Sequence, residues 1–453
     1  MKFSIKLLSL VIATTLSPLS LAAVSAEEAA HLGQDLTPIG AEKAGNAEGT
    51  IPEWTGGLSN PPAGYVNGKH LIDPYADEQP IATITPANLD QYRDKLSPGQ
   101  LAMFKRYPQT YKMLVYPSRR SAAFPDDVFA KVKANATSAT LVDDGNGVEG
   151  YQEVIPFPIP KNGLEVVWNH IMRYRGGSLS REVVQAIVQT GGDYHLVHLD
   201  EQAIYPSKME GLDPESDANI SVFFMQQITA PARLTGNVLL VHDTVNQVKQ
   251  PRSAWVYNAG QRRVRRAPQV AYDGPGTAAD GLRTSDNYDL FSGAPDRYNW
   301  ELVGKQELYI PYNSFKLASD QYKYDDIIKT GHMNPELLRY ELHRVWKVEA
   351  KLKEGERHIY GRRTFYIDED TWQIAVADHY DNRGEIWRLA EAYEVQYYYA
   401  DTPLNAGQSI FDLISGRYLV LGLENESPHP TAFGITASKL DFTPAALRRS
   451  GKK

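Results

Sequence analysis

The chain has no cysteine among its 453 residues. Disulfides, thiolate metal ligands, iron–sulfur ligation and thiol catalysis are therefore excluded. Beyond the first 26 residues, no window approaches the roughly 18 apolar residues of a membrane-spanning helix. Catalytic signatures are missing too: there is no Gly-x-Ser-x-Gly elbow, phosphate loop, His-Glu-x-x-His or dinucleotide fingerprint. His195 and His198 stand three apart in a strand-like run and so face opposite sides, which disfavours a shared metal. Basic excess is lacking as well, with 47 Lys and Arg against 55 Asp and Glu. Nucleic-acid affinity rests on neutralised phosphates, which such a chain supplies poorly. No metal, cofactor or nucleic acid is expected.

Aromatic residues are plentiful, with 27 Tyr, 13 Phe and 7 Trp, and they favour strands. The first 26 residues read as a secretory leader: Lys2 and Lys6, an apolar stretch from Leu7 to Leu21, and small residues Val24-Ser25-Ala26 before Glu27. Removing them takes away two lysines and moves the formal net charge from −8 to −10. The mature protein is expected in the periplasm, without a lipid anchor.

Residues 27–160 form a Pro-rich arm with eleven prolines from Pro38 to Pro125. Ser97-Pro98-Gly99-Gln100 is a capping box that predicts a helix, with Phe104, Tyr107 and Tyr111 as its apolar stripe. Further short helices are predicted from Thr85-Pro86, over Asp126–Ala134 and over Leu164–Arg173. Residues 161–440 read as a β domain, followed by a basic tail, 441–453. Gly191-Gly192 marks a hairpin. "SAWVY" and "RRVRRA" form another across Asn258-Ala259-Gly260-Gln261, with Gly260 available for positive φ. Residues 272–300 form a long turn-rich loop, whose Tyr288 and Phe291 argue that it docks.

Four regular runs between Tyr340 and Ala400 predict an antiparallel meander. Period two puts Trp346, Val348, Ala350 and Leu352 on one face, and Trp372, Ile374 and Val376 on one face of a second strand. The Asp368-Glu369-Asp370 stretch reads as a plain turn. A curved sheet so rich in aromatics can leave an apolar concavity. Candidate lining residues are Trp255, Tyr257, Trp346, Trp372 and Trp387 on the sheet, with Trp168 and Ile171 on a covering helix. Arg262, Arg263, Arg265 and Arg266 would form its rim and meet an anionic head or an acidic partner; equally, they could protect a strand edge.

Three stretches, "LTPIGAEKAGNAEGTIPEWTGGL", "RSAWVYNAGQRRVRRAPQVAYD" and "RRTFYIDEDTWQIAVADHYDNRGEIWR", together resemble an uncharacterised family of proteobacterial periplasmic proteins, also called outer membrane lipoprotein-sorting proteins. The resemblance implies a fold similar to the lipoprotein carriers LolA and LolB: mainly β (α+β), a large curled antiparallel sheet or half-open barrel with covering helices. It also implies a hydrophobic ligand or lipoprotein as cargo, an inner-membrane efflux-type transporter and an outer-membrane partner. A non-enzymatic carrier is the leading expectation. An envelope polysaccharide- or lipid-acting enzyme and a non-binding accessory subunit of a transporter are the alternatives.

Overall fold

The computed structural model describes residues 23–450. Of the expected leader, residues 1–22 lie outside the described residues. Three helices carry most of the α structure: α1 (Pro98–Arg106), α2 (Asp126–Ser138) and α3 (Gly163–Ile171). Among the described residues no helix is long and apolar enough to cross a membrane.

Ser97 starts α1 as its spacing predicts. The Ser97 hydroxyl accepts from the Gln100 amide at 3.1 Å, and the Gln100 side chain accepts from the Ser97 amide at 3.0 Å. The same hydroxyl donates to Asp378 at 3.0 Å, tying the helix to the sheet. Losing a cap costs about 1 kcal/mol. Ser97→Ala should therefore lower stability by about 1–2 kcal/mol, read from the denaturant midpoint, because a buried bond to Asp378 goes with it. The Thr85-Pro86 signal yields only 3-10 turns at Leu89–Gln91 and Arg93–Lys95.

The β domain begins with β1 (Ser178–Val188), β2 (Tyr194–Ile204), β3 (Ile220–Ala230) and β4 (Val238–Thr244). Then come β5 (Ser253–Asn258), β6 (Arg263–Arg266) and β7 (Tyr298–Pro311). The rest are β8 (Tyr340–Leu352), β9 (Arg362–Asp368), β10 (Ile374–Tyr380), β11 (Ile386–Tyr397), β12 (Thr402–Asp412) and β13 (Tyr418–Leu423). They run in the order β7–β8–β9–β10–β11–β12–β13–β1–β2–β3–β4–β5–β6, each antiparallel to its neighbour. With three short additions, one sheet holds 16 strands among the described residues. It does not close: β7 and β6 are the two edges of this path, and residues 267–297 connect them in sequence.

Two corrections concern local geometry. In the β5–β6 hairpin the positive φ falls on Arg262 (53°), not on Gly260, so Arg262 belongs to the turn. In β10 a bulge separates Ile374, opposite Ile367, from Val376, opposite Tyr366. Ile374 therefore joins the core on one side of the sheet and Val376 the core on the other. Trp372 lies in the turn before the strand, at φ 59°.

The meander is packed on both faces. One face carries Leu389, Tyr393, Val395 and Tyr397 beneath α1 and the arm; the other carries Val348, Ala350, Ile374 and Ala390 beneath α2, α3 and the 267–297 loop. Buried charge fastens the arm. Arg120 grips Asp370 with two bonds of 2.8 and 2.6 Å and donates to the Glu42 carbonyl at 2.7 Å. Arg344 binds Glu369 at 2.6 Å and the carbonyls of Glu42 and Ala44. The Asp368–Asp370 turn is thus a buried charged anchor, contrary to the plain turn expected. At the N-terminus Val24 is buried, its amide donates to Ala136 O at 3.1 Å, and Ser25 caps a short helix, Ala26–Ala29. At the other end Phe442 and Leu447 pack on β3 and β4 with Phe223 and Leu240.

Candidate functional site

The space in this molecule lies under the other half of the sheet. β3 and β4 are apolar on both faces. Phe223, Leu240 and His242 face the C-terminal segment; Val222, Phe224, Leu239 and Val241 face inward. What lies across from them is the 267–297 loop, which is too irregular to fill the gap as a strand would. A cavity of about 170 Å³, open at its mouth, remains between them. Its wall is mostly apolar, as ligand cavities usually are. Val270, Tyr288 and Phe291 supply the loop side, and Leu404 of β12 supplies a further wall. A neighbouring space of about 420 Å³ shares Ile171, Arg175, Tyr205 and Ser221 with it, so these four residues form a partition between the two.

Charged side chains also line the first cavity. Arg175 donates to Asp289 at 2.8 Å, and Arg173, from behind, does the same. Burial alone would raise the Asp289 carboxyl, but Arg173 and Arg175 more than reverse this and hold it far below the usual carboxylate range. Arg181 binds Glu201 at 2.8 Å, and Gln226 and Tyr288 complete that carboxylate's shell at 2.6 and 3.2 Å. Arg252 binds Asp243 with bonds of 2.9 and 2.6 Å. Arg283 also lines the cavity. His170, at the end of α3, sits behind this cluster and is pushed down to about 3, first by burial and then by Arg173. Its Nε2 donates to the carbonyls of Asp289 and Phe291 and its Nδ1 accepts from the Ile374 amide at 3.0 Å, which pins the loop to the start of β10.

Of the seven lining candidates, Ile171 stands in the wall of both spaces. The other six stand elsewhere. Trp168 is buried and donates to Gly145 O at 2.9 Å. Trp372 is buried, donates to Ile39 O at 3.0 Å and stacks on Trp346 at 6.2 Å. Trp387 donates to Asp412 at 3.0 Å. Tyr257 and Trp255 pack in the cluster against the C-terminal segment. Arg262, Arg263, Arg265 and Arg266 are exposed along edge strand β6 and its turn, with Arg266 over the Trp255 ring at 5.7 Å. The residues missed by the sequence reading, Arg175, Arg181, Arg252 and Arg283, gave one signal: arginines embedded in apolar or turn-rich runs.

Among the described residues, His343, Asp368 and Asp370 place three possible metal-ligand atoms within 4.8 Å of one another. Arg120 already occupies both oxygens of Asp370, which makes this a closed ion-pair network and a poor metal cage. None of the three lines either large cavity.

The model of the family described as "Protein of unknown function (DUF1329)" matches residues 83–448. An uncharacterised protein of Pseudomonas aeruginosa is 60% identical over 432 residues, 95% of each chain. A solved DUF1329 family protein from Desulfovibrio piger is 14% identical, with TM-score 0.44, over 63% of this chain and 97% of its own. A solved LolA superfamily protein from Nitrosomonas europaea is 12% identical, with TM-score 0.37, over 63% of this chain and 98% of its own. By the family match and the 60% identical relative, this chain belongs to the DUF1329 family.

Proposed function

We propose that this protein is a binding or carrier protein for a hydrophobic molecule, such as a lipid or the acyl part of a lipoprotein, and that it works in the periplasm. The observation that carries the reading is the apolar cavity between β3–β4 and the 267–297 loop. Each methylene moved into such a wall is stabilised by about 0.8 kcal/mol. The second space, across the Ile171–Tyr205 partition, gives room for an elongated cargo. The leader-like residues 1–26 support export. An inner-membrane efflux-type transporter as donor and an outer-membrane partner as acceptor fit such a role. The exposed arginines of β6, on an open sheet edge, suit contact with an acidic partner as well as protection of that edge.

Native mass spectrometry of the protein from its own periplasm, followed by solvent extraction, tests the reading. The expected result is a stoichiometric hydrophobic molecule that Val222→Glu loses and Trp387→Ala, outside the cavity wall, retains. A clean apo mass, with no uptake of added lipid, overturns it and favours an accessory subunit with a purely structural sheet.

A further inference from the structure

We propose that the cavity selects amphiphiles with an anionic head, carboxylate or phosphate, and that Arg283 is the residue that recognises the head. This rests on the carrier reading above and adds the class of ligand. Arg283 is 5% exposed and stands in the cavity wall. Among the described residues its guanidinium makes no ion pair within 4 Å, and its Nε is buried with no hydrogen-bond partner. What surrounds it is a ring and a backbone. Its Cζ lies 5.3 Å from the Tyr288 ring centre, and Gly276 lets it lie so close to the loop that a Cβ there would stand 2.9 Å from Cζ.

Every other cation of the cluster has a carboxylate; this one does not. Arg173 and Arg175 pair with Asp289, Arg181 with Glu201 and Arg252 with Asp243. Nearby Asp286 is taken by Arg363 at 2.8 Å, and burial pushes Glu394, the carboxyl next to Arg173, up to about 8. Five guanidiniums thus stand against three carboxylates, and Arg283 is the one with no carboxylate bonded to it, in the wall of a mostly apolar space. Guanidinium does not escape by deprotonation. A buried cation without a counter-ion is costly. An anion supplied from outside the chain would pair this cation. Planar donors in a fixed fork suit carboxylate and phosphate oxygens. The apolar wall of Val222, Phe224, Leu239 and Val241 requires that this anion carry a chain.

Isothermal titration of the delipidated full-length mature protein with dodecanoate, dodecyl phosphate and dodecan-1-ol tests this. At least one anion is expected to bind ten times more tightly than the alcohol or better, and the tighter of the two identifies the head. In Arg283→Met the three ligands should agree within about twofold, with the alcohol's affinity kept, and the melting temperature of the ligand-free protein should not fall. Arg283→Lys should keep part of the preference. If the wild-type protein binds all three equally, charge recognition is overturned while the carrier reading stands. If the preference survives in Arg283→Met, the assignment to Arg283 is overturned. If no ligand binds, the carrier reading falls and this inference with it.

Discussion

Asp289→Ala should destabilise the protein by about 3–5 kcal/mol, the usual effect of removing one partner from a buried charge pair. Asp289 serves two guanidiniums at once, both from the segment after α3. Arg173 and Arg175 each donate to it at 2.8 Å, and Asn405 adds a bond at 3.2 Å. Its removal leaves two more cations unpaired in a cluster that already carries an excess. It also frees the loop, since Asp289 and Leu290 are held at φ 55° and 61°, a conformation that non-glycine residues seldom adopt. Asp289→Asn tolerates that conformation and keeps part of the hydrogen bonding, so it should lose less. Equilibrium urea unfolding of both variants separates the contributions. A loss below about 1 kcal/mol for Asp289→Ala would show that the arginines find water or another anion without it.

The second large effect is a pH dependence. Burial pushes the Asp378 carboxyl up to about 7 from an ordinary 3.8, against the lowering effect of the Gly99 amide and the Ser97 hydroxyl, each 3.0 Å from Oδ1. Its other oxygen is buried without a partner. The unfolded chain gives up this proton near pH 4, whereas the folded chain keeps it until about pH 7. The folded state thus binds more protons between these values, and stability declines as pH rises through that window. Asp378→Asn removes this carboxyl's share of the decline. It should match the wild-type protein near pH 4 and exceed it at pH 8 by up to about 4 kcal/mol, given 1.36 kcal/mol per pH unit. Thermal melts of both proteins at pH 4.5 and 8 provide the check. Equal melting temperatures at pH 8 would mean that the Asp378 carboxylate is solvated. Burial pushes Glu391 up to about 7 in the same way, so the variant leaves part of the slope in place.

What the sequence made legible was local. The Ser97–Gln100 box, the Gly191-Gly192 hairpin and the four runs of the meander each declare themselves within a dozen residues, and each stands where expected. β12 was hidden because Pro403, Asn405 and Gly407 interrupt its pattern, yet it is paired on both sides. The Trp372 face was misjudged because one extra residue in β10 reverses every side chain beyond it. The cavity was sought beneath Trp255, Tyr257 and the tryptophans of the meander, with Trp168 and Ile171 covering it, and of these Ile171 lines it. Alternation says that a side chain points inward, but it does not say what stands opposite. Opposite the meander stand α1, the arm and α3, which fill the space; opposite β3 and β4 stands a loop, which does not. Arg283 was illegible for the same reason: its lack of a carboxylate is a property of eight charged side chains drawn from distant segments.

The sheet order also bears on how the chain reaches this state. β1 pairs with β13, and Val188 lies opposite Tyr418, more than two hundred positions away. On one side of that junction, β1 to β6 follow one another as neighbours; on the other, so do β7 to β13. Each half can zip up between neighbours in sequence, but the seam between them needs the closure of a much longer loop, whose entropy has to be met before any contact rewards it. The β1–β13 seam is then the last step and the slow one. Until it forms, each half presents an unpaired strand in the middle of what will become the sheet, and these two strands, rather than the arginine-lined β6, are where premature association between chains would begin.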